Sequence, residues 1–129
     1  MVICAVSERA EVGVDVEFIK DDLSLNDYTN FLNEQDYNLL KASDDFVDTF
    51  YKIWTAKESV MKADGRGFNL DMKKIDLYDG YALINTEKRS WYFHWLNPIP
   101  RYQIAVCSNR EVNVQLNYYD IQNQIGSTF

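Results

Sequence analysis

From residue 44 to residue 64 the chain contains neither glycine nor proline, and Gly65 follows at once. Within that stretch Phe46, Phe50, Ile53, Trp54, Val60 and Met61 share one arc at about 100° per residue, the pattern of a helix with one buried face. Gly65 supplies the left-handed conformation that ends helices. The chain after it is strand-like: Ile75 to Tyr78, Tyr81 to Ile84, Trp91 to Leu96, Tyr102 to Cys107 and Val112 to Tyr119. Asp79-Gly80 is a two-residue hairpin signal between the first two. Residues 2 to 6 and 12 to 17 add two short strands, joined as a hairpin by the polar run Ser7 to Glu11. Strands, a long helix and a meander predict an α+β domain, an antiparallel sheet packed on one face against one long helix.

Helical patterning begins near residue 24. Asn33, followed by Glu34, Gln35 and Asp36, reads as an N-cap with an acidic first turn, and Ser43 with Asp44, Asp45 and Asp48 repeats the signal. No fixed-period repeat or flexible linker divides the chain, so its 129 residues form a single domain, 1–129, with a sufficient core of its own.

Composition excludes several classes of function. The net charge of −7 is opposite to the basic footprint of a nucleic-acid binder. Cys4 and Cys107 are too few for a disulfide scaffold or a four-cysteine zinc site, which suits a reducing compartment. The opening Met1 to Val6 lacks the apolar core of a signal peptide, and no stretch is apolar enough for a membrane helix, so a cytoplasmic protein is expected. His94 is the only histidine, so a multi-ligand metal site must rely on carboxylates.

The carboxylates are placed for that role. In Val12-Gly13-Val14-Asp15-Val16-Glu17 the valines take one face of a strand, while Asp15 and Glu17 share the other. Such a pair is either a solvated acidic face or part of a hard-cation site for Mg²⁺ shared with a phosphate substrate. A third acid, Glu58, lies at the edge of the helical arc about 40° beyond Trp54, with Lys62 one turn further along. Lys57 falls inside the apolar arc, where an ammonium needs an anionic partner or must reach water. Three acids and two lysines suit phosphoryl-type transfer, and Gly65-Arg66-Gly67 offers either a helix cap or a further phosphate contact.

These residues resemble the 4′-phosphopantetheinyl transferases. The resemblance rests on Gly13-Val14-Asp15-Val16-Glu17, on Trp54-Thr55-Ala56-Lys57-Glu58-Ser59-Val60-Met61-Lys62 with Gly65-Arg66-Gly67 after it, and more weakly on Tyr102 to Ser108. It implies that Asp15, Glu17 and Glu58 bind Mg²⁺, and that Lys62 stands near the pyrophosphate of coenzyme A. It also implies that Lys57 pairs with a phosphate or a carboxylate; Arg66, in the Gly65-Arg66-Gly67 turn, is the further candidate cofactor contact read from the residues themselves. The implied reaction moves the 4′-phosphopantetheine arm of coenzyme A to a serine of an apo carrier protein, with Glu58 as general base. Carrier proteins of this family's biology are acidic, so a local basic patch is expected on this acidic chain.

The chain resembles the second lobe of the two-lobed, surfactin-synthetase-activating type, while its size is that of the holo-acyl-carrier-protein synthase type. A homo-oligomer, dimer or trimer, is the expected way to complete the site. The alternatives are a catalytically incomplete lobe, a subunit of a split transferase, and a Mg²⁺-dependent phosphohydrolase using the same acids.

Overall fold

The computed structural model describes residues 1–85, 87 and 89–120, with 120 and 125–128 described as backbone alone. The chain forms β1 (Val12–Phe18), α1 (Glu34–Ala42), α2 (Phe46–Asp64), β2 (Ile75–Leu77), β3 (Tyr81–Ile84), β4 (Ser90–Leu96), β5 (Tyr102–Ser108), β6 (Asn117–Asp120) and β7 (Ile125–Thr128). Short 3₁₀ turns occupy Leu25–Tyr28, Gly67–Asn69 and Met72–Lys74. The first five strands make one antiparallel sheet in the order β1-β5-β4-β3-β2, which brings the first strand beside the fifth and leaves β1 at an edge. This is the α+β architecture expected from the sequence.

Local chemistry explains the elements. Asn33 and Asp36 form a full capping box on α1, each side chain accepting from the other's backbone N–H. The Asn33 amide also donates to Lys73 O and Ile75 O, tying the helix start to β2. Asp45 caps α2 with a bond from Asp48 N, and Gly65 ends it at φ 87°. Ser43 therefore closes α1 rather than opening α2, since its own N–H reaches back to Leu40 O. Gly80 takes φ 78° in the turn between β2 and β3, as Asp79-Gly80 predicts.

The helix α2 covers one face of the sheet. Phe50, Ile53, Ala56, Val60 and Met61 pack there with Ile75, Leu77, Ala82, Ile84, Trp91, Phe93 and Cys107. Phe46, expected in the buried arc, lies at the exposed start of the helix. Register puts Gly13, Asp15 and Glu17 opposite Cys107, Ala105 and Gln103 on this same covered face, with the β1 valines on the other.

Two expected strands are absent among the described residues. Residues 1–7 form no ladder, with Val2 at 96 % and Val6 at 89 % exposure, and residues 111–116 form none either. Instead Ile3 to Ser7 and Val112 to Leu116 line, with Val12, Val14, Leu96 and Val106, a cavity of about 160 Å³ on the outer face of the sheet. Apolar alternation gives a segment a face, but a strand also needs a neighbour with open backbone groups. The late strand is confined to β6, which pairs with β7 as a separate hairpin. No helix among the described residues is long and apolar enough to cross a membrane.

Candidate active site between strand β1 and helix α2

Helix α2 runs back along β1, and close backbone approach sets their spacing. A methyl group at Gly13 would overlap the backbone of Ser59 and Ala63, so only glycine lets the strand lie this close. From that contact the facing pairs follow in order. Lys62 Nζ donates to Asp15 Oδ1 at 2.7 Å, Trp54 Nε1 donates to Glu17 Oε1 at 3.3 Å, and the Tyr51 hydroxyl accepts from Lys20 N at 3.2 Å. Trp54, Glu58 and Lys62 recur at intervals of four and so form one stripe of the helix. Sequence spacing thus finds the stripe, and the structure shows that the stripe faces Asp15 and Glu17.

Asp15 is buried, and while Lys62 holds its Oδ1, its Oδ2 has no hydrogen-bond partner. Half-burial pushes the Glu17 carboxyl up from its ordinary value, and the negative charges of Asp15 and Glu58 add to that; the Trp54 indole opposes it. Glu58 is raised by the same two causes, burial first and Asp15 second, with Lys62 opposing. Three acids therefore sense one another across β1 and α2. Among the described residues, no three His, Cys, Asp or Glu side chains are already gathered as a metal-holding group. The donor set nevertheless fits a hard divalent cation: it is all oxygen, mutually repelled, and includes a buried carboxylate oxygen without a partner.

Two candidate cofactor contacts stand elsewhere. Lys57 is fully buried, its ammonium 2.5 Å from Asp36 Oδ2 and 3.3 Å from Met72 O, so it does not face the acids. Of the two partners the sequence allowed it, the structure supplies the carboxylate, and a phosphate has no access. Burial holds the Lys57 ammonium below the ordinary lysine value, against the pull of Asp36. Arg66 is tied to Asp64, the last residue of α2, and to Glu87, which raises its pKa, so it offers no free guanidinium; the helix is capped by Gly65. His94 lies on β4 facing away from the helix, with Asp79, Tyr81, Tyr92 and Glu111 around a concavity of about 500 Å³. None of the three acids lines that concavity, so the candidate site rests on its chemistry rather than on enclosed volume.

Sequence reading overlooked Gly13, Asp36 and the Trp54 indole as contributors. Gly13 stood in the motif without a role, and Asp36 appeared only as first-turn acid. A buried lysine at position 57 was the signal that a buried acid had to exist.

An antiparallel sheet backed by one long helix, with acids divided between its edge strand and that helix, defines the class of protein. The family model of the 4′-phosphopantetheinyl transferase superfamily matches residues 11–107, and the chain belongs to that superfamily. It is 31 % identical over 114 residues to the 4′-phosphopantetheinyl transferase Sfp of Bacillus subtilis (strain 168), a match covering 83 % of this chain and 50 % of that protein. To the 4′-phosphopantetheinyl transferase gsp of Aneurinibacillus migulanus it is 38 % identical over 76 residues, which cover 57 % of this chain and 31 % of the relative. Its fold resembles the holo-[acyl-carrier-protein] synthase of Thermotoga maritima, with a TM-score of 0.61 and 16 % identity over 88 % of this chain and 71 % of the other. The chain spans about half the length of the Bacillus subtilis relatives it matches.

Proposed function

We propose that this chain transfers the 4′-phosphopantetheine group of coenzyme A to a serine of an apo carrier protein, in a Mg²⁺-dependent reaction. The observation that carries the reading is the group Asp15, Glu17 and Glu58 with Lys62 beside them, all on facing surfaces of β1 and α2. Asp15, Glu17 and Glu58 would hold the cation, which when bound would polarise the phosphoryl group and neutralise charge on it. Lys62, its side chain 52 % exposed and its ammonium on Asp15 Oδ1, stands at the cleft where it would meet an oxyanion of the substrate. Glu58, raised above the ordinary carboxyl value, is a better proton acceptor than a solvated carboxylate. It takes the serine proton as the serine oxygen bonds to the β-phosphorus of coenzyme A, and the bond to the leaving 3′,5′-ADP breaks. The free thiols Cys4 and Cys107 agree with a reducing, cytoplasmic setting.

The matched relatives are about twice as long as this chain, and we propose that a second copy of the chain completes the site. The second reading is a catalytically incomplete lobe, or a subunit of a split transferase, that is inactive by itself. Incubation of the purified chain with apo carrier protein, coenzyme A and Mg²⁺, followed by weighing of the carrier, separates the two. A phosphopantetheine mass increment supports the transferase, and its absence at high enzyme concentration refutes activity of this chain alone. Solution mass measured alongside tests self-association, with a monomer that is nevertheless active refuting it. Phosphate release from coenzyme A without any carrier would instead indicate a phosphohydrolase.

A further inference from the structure

Lys62 donates to Asp15, one of the acids proposed to hold the cation, and that contact bears on how the site is loaded. The Asp15 carboxylate is nearly covered, with 6 % of its side chain exposed, and one of its oxygens carries the Lys62 ammonium. The other oxygen is buried and has no partner. The Lys62 side chain is half-exposed on the last turn of α2, and Asp15 is its ion-pair partner. Glu58, four residues earlier on the same stripe, senses both Asp15 and Lys62. Among the described residues, Lys62 thus meets Asp15 from β1 and Glu58 from its own helix.

We infer that Lys62 is a two-position residue: it neutralises Asp15 while the acid group is empty, and a divalent cation entering that group expels its ammonium into the cleft, where it meets the phosphate of the substrate. This rests on the proposed role of Asp15, Glu17 and Glu58 in binding the cation. The reason is the repulsion of like charges. An ammonium within hydrogen-bond distance of Asp15 and a dication on the same carboxylate would stand only a few ångströms apart inside a partly desolvated cleft. The four-carbon stem of lysine allows the ammonium to leave at little cost, and the side chain is already about half exposed. An entering phosphate then bridges the cation and the ammonium. Loading is thereby ordered, cation first and anion second.

The test is pulsed acetylation of lysine amines, read peptide by peptide by mass spectrometry, with metal binding followed independently by calorimetry. In chelator Lys62 should label slowly. Saturating Mg²⁺ should speed its labelling severalfold, and inorganic pyrophosphate added with Mg²⁺ should slow it again. Lys52, paired with Asp48 on the same helix, serves as the internal control and should not respond. In Asp15→Asn the Lys62 amine should label rapidly with or without Mg²⁺. Calorimetric saturation with Lys62 labelling unchanged overturns the exchange and leaves the metal site standing. No binding of Mg²⁺ or Mn²⁺ overturns both the exchange and the metal reading beneath it. Slow Lys62 labelling in Asp15→Asn also overturns the exchange, because Asp15 would then not be what holds it.

Discussion

Replacing Lys57 with methionine should be among the most damaging single changes available to this fold. The substitution preserves an unbranched stem inside α2 but removes the ammonium that Asp36 faces at 2.5 Å, both side chains being 0 % exposed. Asp36 would keep one donor, the Asn33 backbone N–H on Oδ2, while its Oδ1 already lacks a partner. Removing one member of a buried ion pair costs about 3–5 kcal/mol, because the other charge stays desolvated. For a domain of this size that corresponds to a melting temperature lower by roughly 10–20 °C. Urea unfolding followed by circular dichroism measures it, with an unchanged slope required so that the midpoint reports stability. The double variant Lys57→Met/Asp36→Asn should recover at least about 1 kcal/mol of the loss, since the amide retains a capping oxygen and has no charge to bury. A Lys57→Met protein within about 1 kcal/mol of the parent refutes the reasoning, as does a double variant whose loss equals the sum of the two single losses. The sign with pH is also fixed. Burial lowers the folded-state pKa of Lys57, so the unfolded chain binds more protons there, and this residue's contribution to stability rises as pH climbs towards the ordinary lysine value. That rise should be missing in Lys57→Met.

Other consequences follow from the same geometry. Gly13→Ala should destabilise by about 2–3 kcal/mol, measured by the same urea titration, because the methyl overlaps helix backbone that has no rotamer to yield. Glu17→Gln/Glu58→Gln should be more stable than the parent at neutral pH in chelator, since both folded carboxyl values are raised above 4.5 and their ionisation disfavours the folded state. That advantage should shrink as pH falls through the raised values to below 4.5, and thermal melts showing it grow with acid would contradict the assignment. Asn33→Ala should cost about 1–2 kcal/mol, by loss of the α1 cap and of the side-chain bonds to Lys73 O and Ile75 O, and should expose the β2 amides to hydrogen exchange.

Much of the fold was legible because its signals are local. The cap at Asn33, the left-handed end at Gly65 and the turn at Gly80 depend on a few adjacent residues, and each stands where its chemistry placed it. The stripe Trp54, Glu58, Lys62 was legible for the same reason, since helical spacing alone puts these side chains in line. What the sequence hid was long-range partnership. Residues 2–6 and 112–116 carry strand-like patterns, yet a pattern does not say which edge is free to accept them. The acids after Ser43 advertised a cap, but Asp45 rather than Ser43 fills it, because Ser43 is already committed to closing α1. Lys57 announced its burial by lying inside the apolar arc, while its partner, twenty-one residues earlier, could not be named without the fold.

The contact at Gly13 fixes the distance between the two walls of the cleft by backbone against backbone. A gap held open by side chains would widen or narrow as rotamers changed; one set by a missing methyl cannot. For any ion shared between Asp15 and Glu58, the size of the opening is therefore a property of main-chain geometry, and preference for a small cation over a larger one would change with position 13 before it changed with the ligands themselves.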